Sequence, residues 1–391
     1  MSDTEITTES WWSRIKSSFV CVLFGLILFL VAFPFIFWNE GRAVYQAQTL
    51  EEGFKIVTPI GIKQVNPKNN GKLVHVIGKV KSSGTLADNR FGLAQDNIIK
   101  LKRIVQMYQW KEHTHYETIG YGAGGKRRVK IYTYNEVWSN EIIYSSSFRQ
   151  WQSHKNPSSM PFNYGIFQAK QVIIGAFTLP PNLINKVNNY QDLPLTTTML
   201  EQVPEEFKHK LQLYNNFYYM GDDPTQPKIG DVRINFKIVS PATISIISKQ
   251  EGSTFYPYVT EIGGKIELFK YGEVSAENMF QHEQEFNVIV TWLLRLIGFV
   301  VMFIGLLMIF KIVKNLAAVL PFLTNIFGFV GNLVALIVAA ALSLITIAIA
   351  WIFYHPLLGI ALLVIAAGFL YILKFICKPQ EDIMPITEIV G

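Results

Sequence analysis

Charge is scarce in this sequence. Charged residues occupy 16% of its 391 positions, against about 25% in an average soluble domain, so a purely soluble fold is disfavoured. The net charge of +6 is mild, and it is not gathered into the kind of basic patch that binds nucleic acid. The low fraction of charged residues argues for a membrane protein, and the mild, dispersed net charge argues against a nucleic-acid partner.

Cysteine is scarce as well. The two cysteines, Cys21 and Cys377, lie near opposite ends of the chain. They leave the long middle segment without a disulfide, so its stability must come from core packing. The middle segment also lacks an Asn-x-Ser/Thr glycosylation site, because Asn156 is followed by Pro157. That absence, in a segment rich in asparagine, mildly favours a bacterial source.

Long apolar runs are what the sequence has instead. Four of them, residues 17–38, 288–310, 326–353 and 357–376, reach the length of about 20 residues that a helix needs to cross a bilayer. The first run is too long for a signal peptide and no small-residue cleavage site follows it, so we interpret it as a retained span. The sequence therefore predicts a multi-pass α-helical membrane protein with four spans.

The lysines and arginines near the span ends predict the orientation. These cations are Arg14, Lys16, Lys311, Lys314, Lys374 and Lys378. All of them fall on one side of the predicted spans, which the positive-inside rule makes cytoplasmic. The predicted order is a cytoplasmic N-terminus (1–16), span one (17–38), an exoplasmic domain (39–287), span two (288–310), a cytoplasmic or interfacial loop (311–325), span three (326–353), an exoplasmic turn (354–356), span four (357–376) and a cytoplasmic tail (377–391).

The large exoplasmic domain, inserted between spans one and two, is predicted to be β-rich and of the α+β class. Alternating apolar and polar residues, rich in Val, Ile and Tyr, indicate strands in six stretches: Leu73–Val80, Ile104–Trp110, Val129–Trp138, Val232–Ile238, Thr243–Ser248 and Lys265–Phe269. Ala43–Phe54 and Ser275–Asn287 have helical character with a charged face, so we expect them to anchor the domain at the membrane surface. Leu193–Gln212 is interrupted by prolines and is expected to form a short exposed helix that could divide two subdomains.

No motif in this domain supports catalysis. Gly120–Lys126 matches the G-x-x-x-x-G-K phosphate loop, but Arg127 stands where Ser or Thr would bind magnesium and the flanks are strands, so a hairpin turn is favoured. His113 and His115 could begin a zinc site, and the basic group Lys126, Arg127, Arg128 and Lys130 could meet headgroups. Solvated surface residues are the simpler interpretation of both. A carboxylate pair is left open, but without a G-x-S-x-G element we expect no enzyme, no cofactor and no metal.

The predicted spans contain no Asp or Glu, which disfavours an ion pathway. Arg295, about two turns inside span two, is expected to snorkel toward the headgroups or to contact a lipid or another subunit. Small residues recur on one face of span three, where another helix could approach closely. The candidate membrane or partner contacts are therefore Glu40, Arg42, Arg295, Ala335, Ala339 and Ser343.

Several short segments resemble the transmembrane protein 43 (LUMA) family, in order along nearly the whole chain. They are Trp38–Ala43, Leu50–Gly53, Met107–Trp110, Tyr134–Ser139, His154–Ser158, Ile229–Arg233 and Trp351–Pro356. The family's arrangement of one span, a large lumenal domain and three further spans agrees with the prediction above. The resemblance implies a membrane organiser that self-associates and, in eukaryotic members, resides in the endoplasmic reticulum and inner nuclear membrane, linked to nuclear envelope complexes. It implies no catalytic residue.

The leading hypothesis is a non-enzymatic scaffold, a homo-oligomer that organises membrane lipids or other membrane or exoplasmic proteins. Its location would be a bacterial inner membrane, or the endoplasmic reticulum and inner nuclear membrane of a eukaryote, with both termini in the cytoplasm. The rival hypothesis is a lipid-handling or transport protein, in which the spans and the first amphipathic helix form a lipid path past Arg295. The lack of acids in the spans favours the scaffold.

Overall fold

The computed structural model describes residues 3–8, 11–121, 125–317, 329–352 and 356–376. The chain divides into two compact units. The first unit, which we call the β unit, contains Met1–Glu9 and Glu51–Phe280. The second, the helical unit, contains Ser10–Leu50 and Gln281–Gly391. The β unit thus corresponds to most of the domain that the sequence predicts between spans one and two.

The helices and strands have the following bounds. The α-helices are α1 (Trp11–Ile56), α2 (Pro181–Lys186), α3 (Thr197–Glu201), α4 (Glu205–Lys208), α5 (Ala276–Ala317), α6 (Phe329–Ile352) and α7 (Pro356–Ile376). The strands are β1 (Asp3–Thr8), β2 (Thr58–Pro59), β3 (Leu73–Ser82), β4 (Thr85–Asp88), β5 (Leu93–Asp96), β6 (Lys100–Tyr121), β7 (Gly125–Ser139), β8 (Gly165–Gln168), β9 (Val172–Ile174), β10 (Phe177–Thr178), β11 (Gln191–Asp192), β12 (Gln212–Tyr214), β13 (Phe217–Met220), β14 (Val232–Val239), β15 (Thr243–Glu251), β16 (Thr254–Tyr256), β17 (Tyr258–Val259), β18 (Lys265–Ile266) and β19 (Leu268–Tyr271).

Among the residues that the structure describes, three helices are long and apolar enough to cross a membrane. Their apolar segments are Val20–Ile56 in α1, Ala276–Phe310 in α5 and Gly331–Ile352 in α6. The fourth predicted span coincides with α7, a helix of 21 residues, of which Ile360–Ile372 is described as an apolar stretch. The prediction of membrane-spanning helices is therefore supported for three of the four spans.

The spans do not end where the sequence placed their boundaries. α1 is one helix of 46 residues that joins span one to the predicted juxtamembrane helix Ala43–Phe54. α5 likewise joins Ser275–Asn287 to span two and continues to Ala317, into the segment predicted as a loop. The sequence analysis ended each span where polar residues begin, but a polar residue does not end a helix when a neighbouring helix supplies its hydrogen bonds. The predicted interfacial segment beyond Ala317 and the turn at residues 354 and 355 lie outside the described residues.

Five of the six strands predicted from alternation are confirmed as β3, β6, β7, β14 and β15, and they belong to two sheets. The sixth, Lys265–Phe269, is divided between β18, which forms a two-stranded sheet with β17, and β19, which pairs with β15. One sheet has the order β1-β7-β6-β14-β13-β12, with β11 and β8 paired at its side. The other has the order β10-β9-β3-β15-β16, with β19 and β2 alongside. Apart from the short parallel pair of β2 and β3, the pairings in these two sheets are antiparallel. A mostly antiparallel, β-rich domain was the expectation.

The glycine loop is the end of a long hairpin. β6 and β7 pair continuously from Met107↔Ser139 to Tyr121↔Gly125, which confirms the strand flanks that argued against a nucleotide site. The turn itself, residues 122–124, lies outside the described residues. β14 pairs with β6 only as far as Met107, so the outer part of the hairpin extends past the end of β14.

Each sheet has its own apolar core. One core combines residues of β3, β9 and β15 with Leu183 and Ile184 of α2. The other packs β6 and β14 against Leu193, Val203 and Leu211. The segment Leu193–Gln212 therefore forms two short helices, α3 and α4, whose flanking apolar residues belong to a core. The expected short and exposed helical character is confirmed, because neither helix contains a buried residue. The structure has two helices where one was expected, and they do not divide the unit, because burial of the flanking apolar residues in the core is favourable.

The N-terminal strand disagrees with the predicted topology. β1 pairs with β7 from Asp3↔Tyr132 to Thr8↔Arg127, which places residues 3–8 in a sheet of the β unit. The sequence analysis assigned residues 1–16 to the cytoplasm and residues 39–287 to the exoplasm. A segment cannot pair with a strand on the other side of a bilayer, so both assignments and this pairing cannot hold together. The labelling experiment described below decides between them.

Burial of His75 predicts a pH dependence of the stability of the β unit. The ring lies in β3 with Nε2 3.0 Å from the carbonyl oxygen of Val274, and burial lowers the pKa of His75 below its ordinary value. The unfolded chain takes up a proton near pH 6.5, where the folded unit does not. The contribution of neutral His75 to the free energy of unfolding is therefore complete above about pH 6.5, and it is lost as the pH falls below that value. His75→Gln should flatten the pH dependence of the urea midpoint, and His115→Gln, at an exposed position, should not. Superimposable pH profiles for wild type and His75→Gln would contradict this assignment.

Candidate functional site

Polar side chains of α1, α5 and α6 meet within the helical unit. We call this group the polar layer, and its members are Asn39, Glu40, Arg42, Asn287, Thr291, Arg295 and Trp351. Its members on α5 are four residues apart and so lie on one face of that helix. Asn39 and Glu40 are completely buried. Because buried polar groups without partners are costly, the layer is stable only if its members satisfy one another.

Glu40 connects the three helices. Its carboxylate accepts two hydrogen bonds from Arg295, from Nε to Oε1 and from Nη2 to Oε2, each 2.7 Å long. Trp351 Nε1 donates a third bond to Oε2. The Glu40 side chain is fully buried and that of Arg295 is only 13% exposed, so this bidentate ion pair is little screened by water or salt. Glu40 thus ties α1 to both α5 and α6.

Arg42 is bound differently, by neutral acceptors. Its Nη1 donates to Asn287 Oδ1 at 3.0 Å, and its Nη2 donates to Thr291 Oγ1 at 2.9 Å. Nε and Nη2 also donate to Asn39 Oδ1 at 3.4 and 3.3 Å. Asn39 in turn donates to the carbonyl of Thr291 at 3.1 Å. Arg42 therefore joins α1 to α5 through amide and hydroxyl oxygens.

The structure corrects the expectation for Arg295. We predicted that it would snorkel toward headgroups or contact a lipid or a second subunit, but its guanidinium is engaged by Glu40 of the same chain. It also lies against the ring of Trp292, 4.7 Å from the ring centroid. In a medium of low dielectric constant, a carboxylate within reach attracts the guanidinium more strongly than distant headgroups do. Each span was considered separately in the sequence, so the pairing of Glu40 with Arg295 was missed.

One sequence signal could have found the polar layer. Asn287, Thr291 and Arg295 follow one another at four-residue spacing, two of them inside the predicted span two. A polar stripe on an otherwise apolar helix indicates a polar partner on a neighbouring helix. Asn39 and Glu40 directly follow span one, so they are the first polar residues that this neighbouring span offers as partners for the stripe.

The small-residue face of α6 is buried within the helical unit. Ala335, Ala339 and Ser343 are all buried, and Ser343 Oγ donates to Met302 Sδ at 3.6 Å. The two alanines share an apolar cluster with residues of α1 and α5, namely Ala32, Ile36, Met302 and Leu306. The helices that pack against this face belong to the same chain. The face does not offer an exposed contact to a lipid or a second copy.

Enlarging this face should therefore destabilise the chain itself. We expect Ala339→Leu to lower the stability of the helical unit by about 1–3 kcal/mol, the usual cost of overpacking a filled core. Ala361→Leu is the matched control, because Ala361 in α7 is exposed and leucine is favourable in lipid. Thermal unfolding in detergent, followed by intrinsic fluorescence, measures both variants. Equal midpoints for the two variants would show that the α6 face is loosely packed.

A second cluster lies at the base of the long hairpin in the β unit. The His154 ring stacks on that of Tyr134 with 3.9 Å between centroids and meets Trp110 edge-on at 4.7 Å. Asn156 accepts a bond from the backbone N of Trp110 at 2.7 Å and donates to its carbonyl at 2.9 Å. Glu112 accepts from the hydroxyl of Tyr134 at 2.7 Å. These contacts hold the loop that follows β7 firmly against the hairpin.

The other candidate sites of the sequence are not brought together. Among the residues that the structure describes, no three His, Cys, Asp or Glu side chains are placed to hold a metal ion. His115 lies 3.9 Å from Glu117, its neighbour on the same strand. Most side chains of the basic group 126–130 lie outside the described part of the chain.

Comparisons with known proteins find a matching family and several relatives. The family model of Transmembrane protein 43 matches residues 107–356. Transmembrane protein 43 of Rattus norvegicus is 36% identical over 344 residues, covering 85% of this chain and 84% of the relative. The Homo sapiens protein of the same name is 35% identical with the same coverage, and the Drosophila melanogaster homologue is 30% identical over 90% of this chain and 94% of its own. No solved structure matches the chain.

Proposed function

The chain belongs to the transmembrane protein 43 family, and we propose that it is a non-enzymatic integral membrane scaffold that self-associates and organises proteins or lipid around it. In a eukaryotic cell its place would be the endoplasmic reticulum and inner nuclear membrane, and in a bacterium the inner membrane. Its partners would be membrane lipids, further copies of the chain, and membrane or exoplasmic proteins.

The observation that carries this proposal is the polar layer. Glu40, Arg295 and Trp351 satisfy one another across three helices, and Arg42 adds bonds between two of them. A transport path needs ionisable groups that change partners during a cycle. Groups that are buried and bonded bidentately resist such exchange, because separating them leaves an uncompensated charge. The layer suits a fixed membrane anchor.

The β unit suits the docking part of a scaffold. Two sheets, each with its own core, give a stable platform, and the long hairpin with its braced loop offers an extended surface. The loop that follows β7 is long, and long loops with little regular structure are commonly binding elements. Tyr144 and Trp151 in this loop are exposed, and exposed aromatic side chains are frequent anchors of protein interfaces.

The rival function is lipid handling or transport along the helices and past Arg295. It would require Arg295 to be released from Glu40 during a cycle. Reconstitution of the full chain into phosphatidylcholine vesicles with a trace of fluorescent phospholipid measures this directly, by the fraction of label that an external quencher reaches. Transfer of the label at a rate above that of protein-free vesicles would favour the rival.

Self-association tests the scaffold. Two versions of the full chain with different affinity tags are co-expressed, purified through one tag in mild detergent, and probed for the other tag and for mass by light scattering. We expect the second tag to co-purify and the mass to exceed that of one chain. Recovery of a monomer without the second tag, over a tenfold concentration range, would overturn the homo-oligomer. Mixing the two versions only after solubilisation controls for exchange.

The proposed orientation has both termini, including β1, in the cytoplasm and the remainder of the β unit, Glu51–Phe280, in the exoplasm. Ser146→Cys, at an exposed position of the β unit, should react with a membrane-impermeant maleimide from the exoplasmic side of sealed vesicles. Thr4→Cys should not react from that side, in a chain whose native Cys21 and Cys377 are replaced by serine. Reaction of both cysteines from one side would instead place β1 with the sheet that it pairs with.

A further inference from the structure

Arg42 carries a positive charge that the polar layer does not neutralise. The layer contains one carboxylate, Glu40, and two guanidinium groups. Arg295 takes both oxygens of that carboxylate, while Arg42 donates to the neutral oxygens of Asn39, Asn287 and Thr291. The layer therefore has a net charge of about +1, counting one acid and two arginines as ionised. A cation placed among apolar helices is favourable only if an anion can approach it.

The surface of α1 next to Arg42 is open at Gly41. Trp38, Gly41, Arg42 and Tyr45 are spaced by three or four residues, so they lie on one face of the helix. Trp38 is 57% exposed and Tyr45 is 44% exposed. Gly41 between them has no side chain, and a Cβ atom added there would meet nothing within 4 Å. The open surface at Gly41 thus has Arg42 beside it in the chain and an exposed aromatic residue about one helical turn away on either side.

The residues around this face are of the types found where a helix leaves the apolar part of a bilayer. Asn287 and Thr291, which hold Arg42, alternate along α5 with the exposed residues Val288, Ile289 and Trp292. Large apolar side chains that are exposed on a candidate span face lipid. Tryptophan and tyrosine, here Trp38, Tyr45 and Trp292, are enriched at the boundary between acyl chains and headgroups. Lipid phosphates are found at this boundary.

We propose that the open surface at Gly41, beside Arg42, binds the phosphate of an anionic phospholipid. The second N–H of Arg42 Nη1, beyond the one given to Asn287, donates to a phosphate oxygen, and the guanidinium balances its charge. The rings of Trp38 and Tyr45 pack against the glycerol and upper acyl carbons. A headgroup without its own cation matches the single excess charge of the layer, so a phosphatidylglycerol-like lipid fits better than a zwitterionic one. This inference does not depend on the scaffold role.

The test compares the full chain with three variants in detergent. Thermal midpoints are measured without additive and with dioleoyl phosphatidylglycerol, dioleoyl phosphatidylcholine or inorganic phosphate, and retained lipid is counted by native mass spectrometry. We expect phosphatidylglycerol alone to raise the midpoint of the wild type. Arg42→Gln should retain at least tenfold less phosphatidylglycerol. Lys55→Gln, which removes an equal charge from the exposed end of the same helix, should behave as wild type.

Gly41→Leu separates lipid binding from folding. A Cβ at this position meets nothing within 4 Å, so the midpoint without lipid should match wild type, while the bulkier side chain covers the open surface and the response to phosphatidylglycerol is lost. An undiminished response in both Arg42→Gln and Gly41→Leu would overturn the site. An equal response of the wild type to phosphatidylcholine would overturn the headgroup assignment, and an equal response to inorganic phosphate would show that the group recognised is a free anion and not a lipid.

Discussion

Glu40→Gln should destabilise the helical unit by about 3–5 kcal/mol, the range found when one partner of a buried ion pair is removed. The glutamine retains an oxygen for one hydrogen bond but no charge, so the guanidinium of Arg295 remains buried without compensation. Trp351 also keeps only a weaker acceptor. The unfolding midpoint in detergent should fall accordingly, and proteolysis of the solubilised chain should accelerate.

Two further variants make this expectation specific. Glu51→Gln breaks an ion pair with Lys55 on the same helix, 2.7 Å long but with both side chains well exposed, so it should leave the unfolding midpoint nearly unchanged. The double variant Glu40→Gln/Arg295→Gln removes both charges and should be more stable than Glu40→Gln alone, because no buried charge is left unpaired. If Glu40→Gln and Glu51→Gln had equal midpoints, Glu40 would have to be hydrated and the polar layer would not exist as described.

Gly305→Leu should separate α5 from α1 and cost about 3 kcal/mol, the upper end of overpacking penalties. A Cβ atom at Gly305 would lie 2.8 Å from both the carbonyl oxygen of Gly25 and the backbone N of Phe29. Backbone atoms cannot move aside as the end of a side chain can, so the two helices would have to move apart. Close approach of this kind is what glycine permits between membrane helices.

Gly368→Leu is the matched control for this substitution. Gly368 lies in α7, and a Cβ added there would meet nothing within 4 Å. Leucine is a better helix former than glycine by about 1 kcal/mol, so this variant should be unchanged or slightly more stable. Both variants are compared by thermal midpoint and by disulfide crosslinking between cysteines placed on α1 and α5. A Gly305→Leu chain that crosslinks and unfolds as wild type would show that α1 and α5 do not touch at Gly25.

The strands illustrate how far local pattern determines structure. β3, β14 and β15 were each located from alternating apolar residues, because alternation places every second side chain on one face of a sheet. β1 was not predicted from the sequence. Its pairing with β7 depends on a partner more than a hundred residues away, so no local pattern could indicate it. The two short helices α3 and α4 were predicted as one, because their shared role in a core depends on the sheet beneath them.

The polar layer, likewise, was only partly predictable from the sequence. Its residues Glu40, Arg42 and Arg295 were identified as unusual from the sequence, since charged groups at a membrane boundary need an explanation. The sequence did not indicate that Glu40 and Arg295 bind each other. They are 255 positions apart, and their pairing requires that α1 and α5 lie side by side.

The sequence by itself determined the membrane-spanning character, the β-rich domain between the first two spans and the small-residue face of α6. Each depends on hydrophobicity and periodicity, which act over one helix or strand. Only the tertiary structure decided that this face packs inside the chain, that Gly25 and Gly305 bring two helices together, and that Arg295 is bound by Glu40 while Arg42 is not. These outcomes depend on which elements become neighbours, and that choice minimises the free energy of the whole chain and not of any one segment.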